Sequence, residues 1–351
     1  MLSGLWGKLR DMLGRTATGD NGLEAPDLPE PRLRELIEEV VEKVDPRIRG
    51  IRNYRRTLAP AVQKAYRYFA ELIGRMPAPI PIDSQAWATD PLVHALFSGV
   101  DDLRAVFSKS PDLRKFFDEH PDGSVDHCFL QVGMAMREKT VLGMMLDGEQ
   151  VRKDVPQTTV SFYDHRVLLP CVSEGELREA LAVRGFRVLV AYALEQVTDR
   201  HNRIVLLNQQ WQMLNAKLRA AKAKAAGLEG LVAGEGEHNA QVQALEAELA
   251  QTQQALKDAK AGFATIEDYM RCTSEVLGQP EAHIRINPRT LLLDQMNIKL
   301  DDGAADSARE ICLTEVALGE EIKRFIVLAR FPQDLLLEKG HFLREAQRYY
   351  S

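Results

Sequence analysis

Cysteine is scarce in this chain, and none of Cys128, Cys171, Cys272 and Cys312 belongs to a C-x-x-C pair. A disulfide framework and a zinc knuckle both need clustered thiols, so neither is expected, and a reducing cytoplasm suits the chain. No apolar run approaches the roughly 18–20 residues of a transmembrane helix. The N-terminus also lacks the continuous apolar core and small-residue cleavage site of a signal peptide. There is no excess of cations: 45 Lys and Arg face 51 Asp and Glu, a net charge of −6. A dedicated nucleic-acid binder usually carries a strongly basic domain, so nucleic acid is not an expected partner, although a local basic patch remains compatible with the total.

Catalytic signatures are missing as well. The chain has no G-x-S-x-G, H-E-x-x-H, P-loop or dinucleotide fingerprint. G-x-G occurs only within GEGEHN at 234–239, where the carboxylates would repel a phosphate. No cofactor is expected, and nothing in the sequence speaks positively for an enzyme.

What the sequence does contain is one apolar heptad pattern written twice. Ile204, Leu207, Trp211, Leu214, Leu218, Ala221, Ala225 and Leu228 follow the alternating spacing of three and four that builds a coiled-coil seam. Val242, Leu245, Leu249, Thr252, Leu256, Ala259, Phe263 and Ile266 repeat it after a Gly-rich tip, Glu229–Asn239. Folding the chain back at the tip sets Leu228 beside Val242, Ala225 beside Leu245, Ala221 beside Leu249, Leu218 beside Thr252 and Trp211 beside Ala259. Large residues then generally meet small ones, as close packing requires. A parallel homodimer would instead stack Trp211 on itself and leave thin alanine layers. The pattern therefore predicts an antiparallel hairpin, roughly 35–40 Å long at about 1.5 Å per residue. The same fold-back brings Lys222 toward Glu246 and Lys224 toward Glu248, pairs that favour this register by a few tenths of a kcal/mol each.

Residues 1–15 place Leu2, Leu5, Trp6, Leu9, Met12 and Leu13 on one helical face, with Lys8, Arg10 and Arg15 on the remainder. Short helices of this kind lie in the interface of anionic membranes, burying the apolar face and offering cations to headgroups. Docking on another part of the protein or on a neighbouring subunit would use the same face. Residues 16–31 are rich in Gly, Pro, Asp and Thr and read as a tether.

Amphipathic helices are predicted from Pro31 to about Lys43 and from about Leu58 to Arg75. Short helices follow at 90–98, 100–108 and 111–118. From about Lys139 the period changes to that of strands, with Asp147-Gly148 as a hairpin turn signal. Three more strands are expected at 289–300, 309–318 and 321–330, and a helix at 339–349. Strands on both sides of the hairpin in sequence imply one sheet with the hairpin inserted between its strands.

Three side-chain groups deserve chemical scrutiny. Arg47, Arg49, Arg52, Arg55 and Arg56, with Lys64, Arg67 and interleaved tyrosines, form a candidate anion-binding run; its plainer reading is a solvated helix face with internal ion pairs. Asp118, Glu119, His120, Asp126, His127 and Cys128 are the only dense group of metal-ligand types, but they flank a Pro-Asp-Gly turn where polar residues occur anyway, so no metal is expected. Asp164 and His165 are adjacent in a strand and point to opposite faces, which disfavours an acid/base pair.

Together these readings predict an α+β protein: an amphipathic helix at 1–15, a linker at 16–31, a helical region at 32–136, a mostly antiparallel sheet body from 137–174 and 279–351, and a helical arm at 175–278 ending in the long antiparallel coiled-coil hairpin. The expected function is that of a non-catalytic adaptor or scaffold. It would meet a protein partner through the arm or its tip, associate peripherally with an anionic membrane, and have scope for homo-oligomerisation. Two alternatives stay open: a soluble assembly factor without membrane contact, and an enzyme or nucleic-acid-binding module whose site the sequence does not advertise.

Overall fold

The structure, a computed structural model, describes residues 28–121, 125–147, 150–226, 235–300, 308–319 and 322–338. The amphipathic segment 1–15, most of the tether, part of the hairpin tip and the C-terminal helix expected at 339–349 lie outside the described residues. Backbone contacts divide the rest into two units, one holding residues 66–185 and those from 281 onward, the other residues 27–65 and 186–280.

The first unit is built on a sheet with strand order β3-β2-β6-β5-β4, where β2 is His127–Asp147, β3 Gln150–Cys171, β4 Ile284–Leu293, β5 Arg309–Leu318 and β6 Ile322–Pro332. Every neighbouring pair on this path is antiparallel. A two-residue strand, β1 (Ile80–Pro81), adds in parallel to β6. The central strand explains the architecture. In β6, Phe325, Val327, Ala329 and Phe331 face one side and Ile326 and Leu328 the other, and all are buried. A strand apolar on both faces needs a layer on each. One layer is supplied by four short helices, α3 (Ser84–Thr89), α4 (Pro91–Leu96), α5 (Val100–Ser108) and α6 (Pro111–Glu119), whose Phe97, Phe107 and Phe117 join the sheet in one core. Phe107 stacks on Phe331 with ring centroids 4.5 Å apart. The other layer comes from Ile73 and Met76 and from Leu177 and Leu181. Residues 84–119 are therefore part of the sheet's own core.

The helix starts carry their caps. Asp83, Asp90 and Ser110 each accept a backbone N–H of the first turn, and Pro91 and Pro111 occupy starting positions where no donor is lost.

Two differences from the sequence reading matter. The strand expected at 289–300 begins earlier, at Ile284, and ends at Leu293, because Asp294 Oδ1 accepts the N–H groups of Met296 and Ile298 and turns the chain. Asn297 completes that turn at φ 57°, with its amide donating to the Ala95 carbonyl. The chain then bonds both to β4, through Leu300 N–H to Leu292 O, and to β3, through Val160 N–H to Asn297 O and Lys299 N–H to Thr158 O. Both edge strands are thus joined through this segment, which closes the hydrogen-bonded circuit of the sheet. The hairpin expected from Lys139 begins at His127 instead, and β2 pairs with β6 only as far as Met134. From Ala135 to Asp147 its pairing is with β3 alone, and beyond the contacts of Thr158–Val160 with 297–299 the two strands run on, from Val141 to Asp147, as a two-stranded ribbon. Asp147 pairs with Gln150, leaving a two-residue connection.

The second unit is helical. It contains α1 (Glu30–Val44), the start of α2 (Tyr54–Gly74), most of α7 (Glu174–Ala226), α8 (Glu235–Lys260) and α9 (Ile266–Gly278). Leu36, Ile37, Val40, Val41 and Val44 give α1 a fully buried stripe, and Phe186, Leu189, Val190, Ala193 and Val197 do the same for α7. The expected helices at 31–43 and 58–75 correspond to α1 and α2, and α7 and α8 form the predicted antiparallel hairpin, inserted between β3 and β4. The helix resumes at Glu235, so Glu235–Asn239 are helical instead of belonging to the tip.

Gly185 in α7 lies under Phe69 of α2. A Cβ there would sit 2.6 Å from Phe69 Cδ1, closer than real atoms approach. Alanine is normally the better helix former by up to about 1 kcal/mol. Here Gly185→Ala should nevertheless destabilise the protein by about 1–3 kcal/mol, the usual cost of overpacking. Urea denaturation measures this, Phe69→Leu should recover part of the loss, and a stabilised Gly185→Ala variant would contradict the packing described.

Candidate functional site: the helical hairpin and its base

The hairpin is built by its seam. Along α7, Leu214, Leu218 and Ala221 are buried and Ile204, Leu207 and Trp211 half-buried; along α8, Leu256 is buried and Val242, Leu245, Leu249, Thr252 and Ala259 half-buried. Val205, Leu206, Gln209, Gln210, Gln212, Met213, Ala216 and Lys217, between the seam positions, are exposed. Lys222 Nζ lies 2.6 Å from Glu246, the ion pair that the antiparallel register requires. The companion pair expected between Lys224 and Glu248 is not formed among the described ion pairs, and both side chains are exposed. Trp211 Nε1 is buried without an acceptor, as the apolar packing of the indole entails.

The lower end of the seam departs from the heptad reading. Helix α8 stops at Lys260, so Phe263 and Ile266 lie beyond it. Gly262, at φ 72°, makes the turn that ends the helix, a conformation in which a Cβ is costly. Phe263 is still buried, stacked 4.7 Å from Tyr269 with the Arg200 guanidinium 5.8 Å from its ring centroid. The Tyr269 hydroxyl meets His201 Nδ1 at 2.7 Å. Thr265 and Asp268 form a reciprocal capping box that starts α9. An aromatic clasp thus ties the base of the hairpin to the next helix. Periodicity continued through Phe263 and hid this break; the Gly262 and T-x-x-D signals were the ones to weigh.

The arginine run is largely engaged. Arg47 binds Asp45 at 2.6 Å, Arg49 reaches Glu42 at 2.7 Å and Glu38 at 3.2 Å, and Arg55 reaches Glu38 at 2.8 Å. The Tyr54 hydroxyl also donates to Glu38 and, with Arg55 and Arg49, holds that carboxyl below its ordinary range. Lys64 donates to the Gly278 carbonyl. Arg52 and Arg56 are exposed, with no described ion pair. The run is chiefly a set of surface pairs tying the segment after α1 and the start of α2 to Glu38, Glu42 and Asp45.

The group of metal-ligand types does not converge. Among the described residues no set of three or more His, Cys, Asp or Glu side chains is placed to hold a metal ion. His120 bonds the Phe116 carbonyl, His127 packs edge-on to Phe129, and burial pushes the Cys128 thiol up to about 12. Asp164 and His165 part as expected: the carboxylate is exposed between Arg324 and Arg166, while the imidazole stacks on Phe97 and burial lowers its pKa. No described helix is long and apolar enough to cross a membrane.

The sequence reading missed one surface altogether. On the ribbon of β2 and β3, Leu142 and Met144 are 69% and 68% exposed. Its signal was the run Val141-Leu142-Gly143-Met144-Met145-Leu146, apolar at successive positions where one-sided strands alternate. Comparison with protein-family models, curated protein sequences and solved structures finds no match.

Asp268 offers a pH test of the clasp. The backbone N–H groups of Thr265 and Ala264 donate to its carboxylate at 2.9 Å, and with Arg271 they hold its pKa down at about 2, against 3.8 ordinarily. A folded value below the unfolded one stabilises fully above about pH 4, and that contribution is lost as pH falls toward 2. Asp268→Asn should therefore lower the melting temperature at neutral pH, with the gap to wild type closing between about pH 4 and 2. Circular-dichroism melts across that range check this, and a gap independent of pH would refute it.

Proposed function

We propose that this protein is a non-catalytic adaptor or scaffold of the cytoplasm that makes protein contacts through the α7–α8 hairpin and associates peripherally with anionic membrane through residues 1–15. The observation that carries the reading is the construction of the hairpin. Two long helices bury one another's seam and leave apolar side chains such as Leu206 and Met213 in water, 55% and 51% exposed. Such a hairpin supplies rigid surface, and protein contact is the use to which rigid, partly apolar surface is suited. The titratable side chains described above serve ion pairs, caps and packing, which accords with a structural role. Support for the membrane contact comes from residues 1–15 alone, through the apolar face of Leu2, Leu5, Trp6, Leu9, Met12 and Leu13.

Burying one large apolar side chain is worth roughly 1.5–3 kcal/mol, and a cation near a negative leaflet adds up to about 1 kcal/mol. Even partial insertion of that face should exceed the cost of ordering a short helix. Full-length protein should co-sediment with vesicles containing anionic lipid, weakly and less at high salt. Leu5→Glu combined with Trp6→Glu should abolish sedimentation without changing helix content or oligomeric state. Wild-type protein that stays in the supernatant, or a double variant that falls apart into smaller oligomers, would overturn the membrane reading in favour of a soluble assembly factor.

A further inference from the structure

The exposed side chains of the hairpin are distributed unevenly between its two flanks. In the heptad of α7, the line Leu206, Gln210, Met213, Lys217, Ala220, Lys224 runs beside the seam on one side; the other flank carries the smaller aliphatic Val205, then Asn208, Gln212, Asn215, Arg219 and Lys222. The first line is continued on α8 by Ala244, Glu248, Gln251, Ala255 and Asp258, because an antiparallel pair sets like flanks together. One face of the hairpin therefore shows two large aliphatic side chains one heptad apart on α7, small residues on α8, cations on α7 only, and carboxylates on α8 only. The opposite face has used its central charges internally, in Lys222–Glu246. On the apolar face Lys224 and Glu248 are both exposed and do not pair.

We propose that this face docks a second copy of the same hairpin, the two related by a two-fold axis parallel to the helices. Such an axis places α7 of one chain over α8 of the other at equal height, antiparallel to it. The register that sets Ala221 level with Leu249 then sets Met213 within about 3 Å of axial height of Ala255 of the second chain, Ala220 within about 1.5 Å of Gln251, and Lys224 within about 3 Å of Glu248, while Leu206 lies level with a position beyond the end of α8. Met213 again meets a small residue, and the Lys224–Glu248 contact is made twice by symmetry. The charge segregation selects this arrangement over its inverse, in which α7 would lie on α7 and lysine would face lysine. The proposal deepens the scaffold reading and rests on it only in taking the hairpin as a contact surface; vesicle binding by residues 1–15 is independent of it.

Sedimentation velocity of the full chain over a concentration series provides the test. A reversible dimer is expected. Met213→Glu should raise its dissociation constant at least about tenfold, while Arg219→Glu on the opposite flank should leave it within about threefold. Lys224→Glu and Glu248→Lys should each weaken the dimer about tenfold, and combining them should restore it, since the reversed pair is again complementary. All four positions are exposed, and unchanged helix content by circular dichroism would show that the seam is intact. A monomer at every concentration overturns the proposal. So does a dimer indifferent to Met213→Glu, or one dissolved only by Leu142→Glu on the ribbon.

Discussion

An antiparallel pair of helices has one seam to hide, and every side chain off that seam must face either water or another molecule. This constraint organises the second unit. The heptad positions of α7 and α8 are its shielded ones, Lys222–Glu246 fits their register, and α8 ends where its seam ends. Below, the stacked Phe263 and Tyr269, with His201 and Arg200 around them, replace the seam by a clasp to α9. What is left over is a two-sided surface, one flank carrying the Lys222–Glu246 pair, the other Leu206, Met213 and the unpaired Lys224 and Glu248. The functional reading follows from that remainder.

The first unit answers a different requirement. Its central strand β6 is apolar on both faces, so the sheet must be covered twice, by the short helices α3–α6 and by the helical residues around Ile73 and Leu177. Edge strands are a liability in water because their free amides invite pairing with other chains. Here the segment after the Asp294 turn bridges β3 and β4 and removes much of that edge. The outer part of the ribbon is the exception, since from Val141 onward its strands pair only with each other and Leu142 and Met144 stay exposed.

Much of this was legible in the sequence because it is periodic. Heptads specified the hairpin, its register and the Lys222–Glu246 pair; the stripes of α1 and α2 and the turn near Asp147 were readable for the same reason. The failures came where a local polar interaction overrides the period. Asp294 stops an apolar run by capturing two amides, and Gly262 ends a heptad series that continues in letters through Phe263. Tertiary pairing is likewise invisible in one dimension. Nothing in the composition of β2 says that β6 leaves it at Met134, and so the exposed apolar surface of the ribbon was missed. Among the candidate site residues, the arginine run proved to be mostly paired because its partners, Glu38 and Glu42, lie on the preceding helix.

The account stands or falls on the hairpin folding within one chain in the register described. Cysteines introduced as Ala221→Cys and Leu249→Cys, with the exposed Cys312 replaced by serine, report on this directly by oxidation and non-reducing electrophoresis. The account predicts a disulfide inside a single chain, formed quickly and at high yield. A shifted pair, Ala221→Cys with Leu256→Cys, should form none, since it is displaced by about 10 Å along the axis. Products that are exclusively intermolecular, or a shifted pair that closes as readily, would contradict it.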